Sequence, residues 1–112
     1  PILPESATMR RAIVELAERR GTAAVVAEDG RLAGVVTSGD LTRLMEHEGD
    51  FLAVRVDEVM TRAPKVAEPD MLASAVVHTM EQKGIMAMPV LDADRRVVGM
   101  VHLHDLMRAG AV

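Results

Sequence analysis

From residue 9 onward the apolar positions fall into a helical beat. Met9, Ala12, Ile13, Leu16 and Ala17 share one face of segment 9–17, with Arg and Glu on the other, which predicts an amphipathic helix. Segment 72–80 does the same through Leu72, Ala75, Val76 and Met80, and Gly21 and Gly84 follow as C-terminal stops. Each helix leads into a β-rich run, 23–28 (AAVVAE) and 87–91 (AMPVL), and each run into a turn. Asp29-Gly30 is a two-residue hairpin signal, and Asp92-Ala93-Asp94-Arg95 is a looser version of it. Second strands follow over 31–37 and 96–102. Asp40 and Asp105 then head short helices over 41–47 and 106–110, where each carboxylate is placed to cap the helix start.

Helix, strand, turn, strand, helix is therefore written twice. Residues 34–41, GVVTSGDL, return as 99–106, GMVHLHDL, with Gly34, Val36, Asp40 and Leu41 recurring as Gly99, Val101, Asp105 and Leu106. Residues 48–55 join the copies; a short turn over 56–60 and an extended stretch through Thr61, Pro64 and Val66 open the second. The first copy opens only with Pro1-Ile2-Leu3-Pro4, so its opening strand is expected to be incomplete, as in a fragment of a longer chain. The repeats are assigned to residues 1–50 and 51–112. One copy is too small to bury a core alone. The pattern thus predicts an α+β fold of two small sheets, each flanked by two helices and related by a pseudo-two-fold axis.

Composition narrows the function. Apolar residues make up 49% of the 112, enough for a real interior, and the net charge of −4 argues against nucleic acid as the main partner. The basic pairs Arg10-Arg11, Arg19-Arg20 and Arg95-Arg96 are short and read as solvated faces. With no cysteine there is no disulfide or thiolate metal site. No apolar run is long enough to span a bilayer, so no membrane partner is expected and a cytoplasmic location is the default. Nine methionines and one aromatic, Phe51, mean that a bound base would lie against Val, Met or Ala rather than stack.

The doubled phrase has a plain structural reading: the aspartates cap helices, and Gly34 and Gly99 relieve crowding in strands. It also has a chemical one. A helix start favours phosphate, a strand-end hydroxyl such as Thr37 can donate to it, and the Asp40 carboxylate can accept from ribose hydroxyls. In the second copy His102 stands in the threonine's place; a protonated imidazole adds charge, so phosphate binding there would weaken as pH rises. His102-x-His104 with Asp105 could in principle hold a metal, but further ligands are not evident, and no metal site or catalytic constellation is assigned.

In order, spacing and duplication the chain resembles a tandem pair of CBS domains, the Bateman module. The resemblance rests on VDEVMTRAPKV (56–66), the helix over 71–83, IMAMPVLDADRRVVGMV (85–101) and HDL in the second copy. In the first it rests on the helix over 8–20, AAVVAEDGRLAGVV and TSGDL. It implies binding of a nucleotide between the copies, by Thr37, Ser38, Gly39 and Asp40 in one and His102, His104 and Asp105 in the other. Ala23, Ala24, Met88 and Pro89 would approach the ligand through backbone and apolar contact. It also implies a disc-like homodimer. The ending VHLHDLMRAGAV (101–112) is similar to that of the arabinose 5-phosphate isomerase family, whose first copy reads Thr-Asp-Gly-Asp-Leu-Arg-Arg where this chain has Thr37 to Arg43 as TSGDLTR. That likeness implies a covalently linked isomerase domain outside this chain, and an adenine nucleotide or cytidine-activated sugar as regulatory ligand, with no obligatory cofactor and no enzyme activity in the chain itself. The alternative is a ligand-free dimerisation scaffold for the parent protein. An independent metal-dependent enzyme has the least support.

Overall fold

A computed structural model describes residues 2–18, 21–47 and 49–110; the Arg19-Arg20 pair lies outside them. Among these residues the chain runs β1 (Ile2–Pro4), α1 (Met9–Glu18), β2 (Thr22–Val26), β3 (Leu32–Thr37), α2 (Ser38–His47), a 3-10 turn (Val56–Glu58), α3 (Ala73–Lys83), β4 (Ala87–Leu91), β5 (Val97–His102) and α4 (Leu103–Arg108). The architecture is α+β, in two compact units that divide after Pro64. No helix among the described residues is long and apolar enough to cross a membrane.

In the N-terminal unit β1 pairs parallel to β2 (Leu3 beside Val25), and β2 pairs antiparallel to β3 (Thr22 beside Thr37, Ala23 beside Val36). The opening stretch of the first copy thus forms a three-residue strand. In the C-terminal unit the opening of the second copy bridges Ala67 to Val90 in parallel. Helix α1 buries Met9, Ala12 and Leu16; Ala17, one step beyond that stripe, is exposed. These side chains meet Leu3, Ala23, Val25 and Val36 in one core.

Residues 51–64, part of the second repeat by sequence, lie in this first unit. Val56 and Met60 are buried in its core. The Val35 N–H donates to the Thr61 carbonyl at 3.0 Å, and the Thr61 N–H donates back at 2.9 Å. That approach needs a residue without a side chain: a Cβ on Gly34 would stand 2.5 Å from the Thr61 carbonyl oxygen. Gly34 does relieve crowding. Gly99, its counterpart, does not, because a Cβ there meets nothing within 4 Å among the described residues. On the same segment the Arg55 guanidinium donates to Asp57 at 2.6 Å and holds that carboxyl below its usual range. The contact is complete above the ordinary aspartate value of about 3.9 and is lost as pH falls through the lowered one.

The C-terminal unit pairs β4 antiparallel to β5 (Ala87 beside His102, Met88 beside Val101). Helix α3 turns Val76, Val77 and Met80 inward. Leu72 and Ala75, which the sequence pattern placed on that face, are exposed, since Leu72 precedes the helix as its N-cap residue and Ala75 lies in its first turn. Gly84 ends α3 in the left-handed region, its N–H bonded to the Met80 carbonyl, as a C-terminal stop requires. The core here is small: Ala67, Val76, Met80 and Met88, ringed by half-buried residues such as Val101 and Leu106.

Both hairpins close through three-residue loops rather than the two-residue turn expected at Asp29-Gly30. The Gly30 N–H donates to the Ala27 carbonyl, the Ala27 N–H donates to the Arg31 carbonyl, and Gly30 takes φ 87°. The register shift between Val25 and Val26 moves the glycine to the third loop position, the form in which a type I turn is followed by a left-handed residue. The second hairpin repeats the geometry with Arg95 at φ 65° in the glycine's place. A non-glycine residue there costs about 1–2 kcal/mol, against roughly 0.5–1 kcal/mol for the greater freedom of an unfolded glycine. Arg95→Gly should therefore raise unfolding stability by about 0.5–1 kcal/mol in denaturant titration. Gly34→Ala should lower it by roughly 1–3 kcal/mol through overpacking. Gly99→Ala should leave it unchanged or raise it by up to about 1 kcal/mol.

Candidate functional site

Sequence pattern placed Asp40 at the cap position with the helix starting near Leu41. The helix instead starts at Ser38, and Thr37, the last residue of β3, immediately precedes it. The Asp40 N–H donates to Thr37 Oγ1 at 3.2 Å, and the Thr37 N–H donates to Asp40 Oδ2 at 2.9 Å. This reciprocal pair is a capping box in which the aspartate is the third helical residue. It forms at this point because a hydroxyl residue stands three positions before a carboxylate at the strand's end. The other carboxylate oxygen of Asp40 accepts from the Arg43 guanidinium, so both oxygens are engaged, and Asp40 is only 6% exposed.

The Ser38 N–H donates to the Gly21 carbonyl at 2.9 Å and ties the junction to the turn after α1. Gly21 must be small and left-handed: φ is 80°, and a Cβ would lie 2.8 Å from Ser38 Oγ. Ser38 and Gly39 are exposed, and Thr37 is half-buried. A Cβ placed on Gly39 would stand 3.5 Å from Thr37 Oγ1 and 3.6 Å from an Arg43 guanidinium nitrogen. Hydroxyl, glycine and guanidinium thus converge at the open start of a ten-residue helix. Ala23 and Ala24 are buried on the neighbouring strand beside Val36 and Val35. A cleft of about 230 Å³ runs along α2, lined by Asp40, Arg43, Leu44, His47, Glu58 and Val59.

The C-terminal unit repeats the junction with altered chemistry. The Leu103 N–H donates to the Met86 carbonyl at 2.8 Å, as Ser38 does to Gly21. His102 occupies the N-cap position but makes no side-chain cap bond, and its Nε2 is buried without a partner among the described residues. Asp105 is the third helical residue rather than a cap; it pairs with Arg108 at 2.8 Å and is 47% exposed. His102 and His104 do not share a strand, because β5 ends at His102 and His104 lies in α4, exposed. Met88 and Pro89 are buried in β4 opposite Val101 and Met100. Among the described residues no three His, Asp or Glu side chains come together in a way that could hold a metal ion.

Sequence reasoning passed over the two arginines. The signal was present: Asp40-Leu41-Thr42-Arg43 and Asp105-Leu106-Met107-Arg108 share the pattern Asp-Leu-x-Arg, and three residues' separation on a helix brings acid and base together. Chemically, the first junction offers a hydroxyl, the positive end of a helix, a cation and a buried carboxylate within seven residues, which suits a ligand with an anionic group and adjacent hydroxyls.

Comparison with known proteins bears on the family and the fold. The CBS domain family model matches residues 1–47 and 56–112. An arabinose 5-phosphate isomerase of Pseudomonas aeruginosa is 41% identical over 92 residues, 82% of this chain and 28% of that protein. The chain spans about a third or less of the length of the curated relatives it matches. Among solved structures, a CBS domain pair in complex with 5′-methylthioadenosine and S-adenosyl-L-methionine is 29% identical, with a TM-score of 0.84 over 98% of this chain and 87% of that one. A CBS domain protein from Pyrobaculum aerophilum complexed with AMP is 26% identical, with a TM-score of 0.83 over 93% of this chain and 80% of that one.

The unequal caps have a measurable consequence. Thr37→Ala should lower stability by about 1–2 kcal/mol, the usual loss for a helix cap. His102→Thr, which supplies the missing cap acceptor, should raise it by about 0.5–1 kcal/mol. Thermal or chemical denaturation of the two variants checks both signs.

Proposed function

Because the chain belongs to the CBS-domain family, we propose that it is a ligand-sensing regulatory module that binds an adenine-containing nucleotide at its strand-to-helix junctions. The observation that carries this reading is the first junction, where the Thr37 hydroxyl, the exposed Ser38 and Gly39 and the buried Asp40 carboxylate stand together at a helix start. The phosphate would sit against Thr37, Ser38 and Gly39, and the ribose hydroxyls would donate to Asp40. Ala23 and Ala24 would back the base there. In the second unit His102, His104 and Asp105 would serve the same ends, with Met88 and Pro89 behind them. The AMP of one solved neighbour supports an adenine nucleotide, and the phosphate-free adenosine compounds of another support the adenosine part of it; both favour adenine-containing ligands over a cytidine-activated sugar.

The ligand would act by binding two states of the parent protein unequally, since only differential affinity shifts an equilibrium. The likeness to arabinose 5-phosphate isomerases supports a covalently linked sugar-phosphate isomerase domain as the regulated partner. This chain would then carry no catalysis itself and would pair as a homodimer. A second reading, a ligand-free dimerisation scaffold, is favoured by one observation: Thr37 and Asp40 already have structural work, with both carboxylate oxygens engaged.

Thermal unfolding with AMP, ADP, ATP, S-adenosylmethionine and a cytidine-activated sugar separates the two. A site filled at 100 times its Kd should add about 2.7 kcal/mol of stability. An adenine nucleotide should produce that gain, and Asp40→Ala combined with Asp105→Ala should abolish it. No gain with any of the five favours the scaffold.

A further inference from the structure

The nucleotide reading sharpens a conflict at Asp40. A ribose would need the carboxylate as acceptor; each oxygen keeps a second lone pair, but Asp40 is only 6% exposed, with the Thr37 N–H on Oδ2 and the Arg43 guanidinium lying over Oδ1. The two contacts differ in kind. The first belongs to the capping box and is made by backbone. The second comes from a side chain that is 67% exposed, although the carboxylate it meets is only 6% exposed, so the arginine is the end of the pair that water and a ligand can reach. Arg43 is therefore the partner that can leave. Its guanidinium lies back over the first turn of α2, with one nitrogen 3.6 Å from where a Gly39 Cβ would be, and Thr37 Oγ1 stands 3.5 Å from that same point. An anion bound at the open helix start would meet the guanidinium without any side chain between them, because residue 39 is glycine.

We infer that Arg43 sets the ligand preference of the first junction by exchanging partners. Without ligand it covers the Asp40 oxygen that a ribose would use; when a phosphorylated ligand arrives it passes to the phosphate, and the freed carboxylate oxygen accepts from the ribose. A nucleoside leaves the guanidinium only water in exchange for Asp40, whereas a nucleotide gives it a phosphate, so the junction selects nucleotides over nucleosides. This inference rests on the nucleotide-binding reading above. The second junction lacks the same device in full, since Asp105 beside Arg108 is 47% exposed and its neighbour is a histidine.

The test is an NMR titration of the full chain with AMP and, separately, adenosine, taking affinities from the amide signals of Ser38, Gly39 and Asp40 so that the second unit does not contribute. The wild-type chain should bind AMP at least about tenfold more tightly than adenosine, the usual scale for one charge-assisted contact. In Arg43→Gln the preference should fall to within about threefold, through weaker AMP binding with adenosine unchanged or improved, and Arg43→Lys should lie between. Dispersion of the remaining amide signals reports that each variant is folded. A preference kept in Arg43→Gln, or a parallel loss for both ligands, overturns the exchange while leaving the nucleotide reading standing. Movement of none of the three amides with either ligand in the wild-type chain overturns that reading and the exchange with it.

Discussion

A carboxylate taken out of water needs partners for its oxygens, and the first junction is organised around that need at Asp40. Thr37 gives it a backbone N–H and takes one in return, which fixes where β3 stops and α2 begins. Ser38 fastens the same turn to Gly21, so the end of α1, the end of β3 and the start of α2 are held by a few contacts within a short stretch. The cap that makes the helix start well defined also presents hydroxyl, glycine and helix terminus on one open side. Stability draws on these atoms, and under the proposed function recognition would draw on them too, so a ligand would have to share Asp40 with the cap.

The second junction keeps the backbone of this arrangement and changes its side chains. Leu103 reaches Met86 as Ser38 reaches Gly21, and Ala87 faces His102 as Thr22 faces Thr37. His102 leaves the cap unmade and its Nε2 without a partner among the described residues. The register of the strands positions the loop, while the residue at the strand's end decides whether the helix cap is made. Duplicated folds can therefore carry two unlike sites without altering their topology.

The repeat was legible because it rested on spacing. Apolar residues at helical intervals located α1 and α3, and Gly84 marked the end of α3 through a conformation that glycine adopts easily. Details that depended on tertiary neighbours were not legible. Gly34 and Gly99 look alike in sequence, yet only Gly34 has the Thr61 carbonyl against it. Asp40 reads as a cap until the hydroxyl three residues before it is seen to be bonded in return. Leu72 satisfies a helical period but precedes the helix, so its exposure follows from where the first turn forms rather than from its hydrophobicity. Arg43 and Arg108 were visible as a pattern, but their meaning lay in what their acids were already doing.

The strand-like clasp between Val35 and Thr61 bears on how this chain could be divided. Evolutionary duplication and physical integrity draw their borders at different places: Val56 and Met60 begin the second copy by descent but fill the interior of the first unit. Scissors guided by the repeat would leave the N-terminal half with an open hole where those two side chains belong, and would hand its partner a greasy leader with nothing to cover. Swapping, grafting or recombining such modules would keep their interiors whole only when the join follows the clasp.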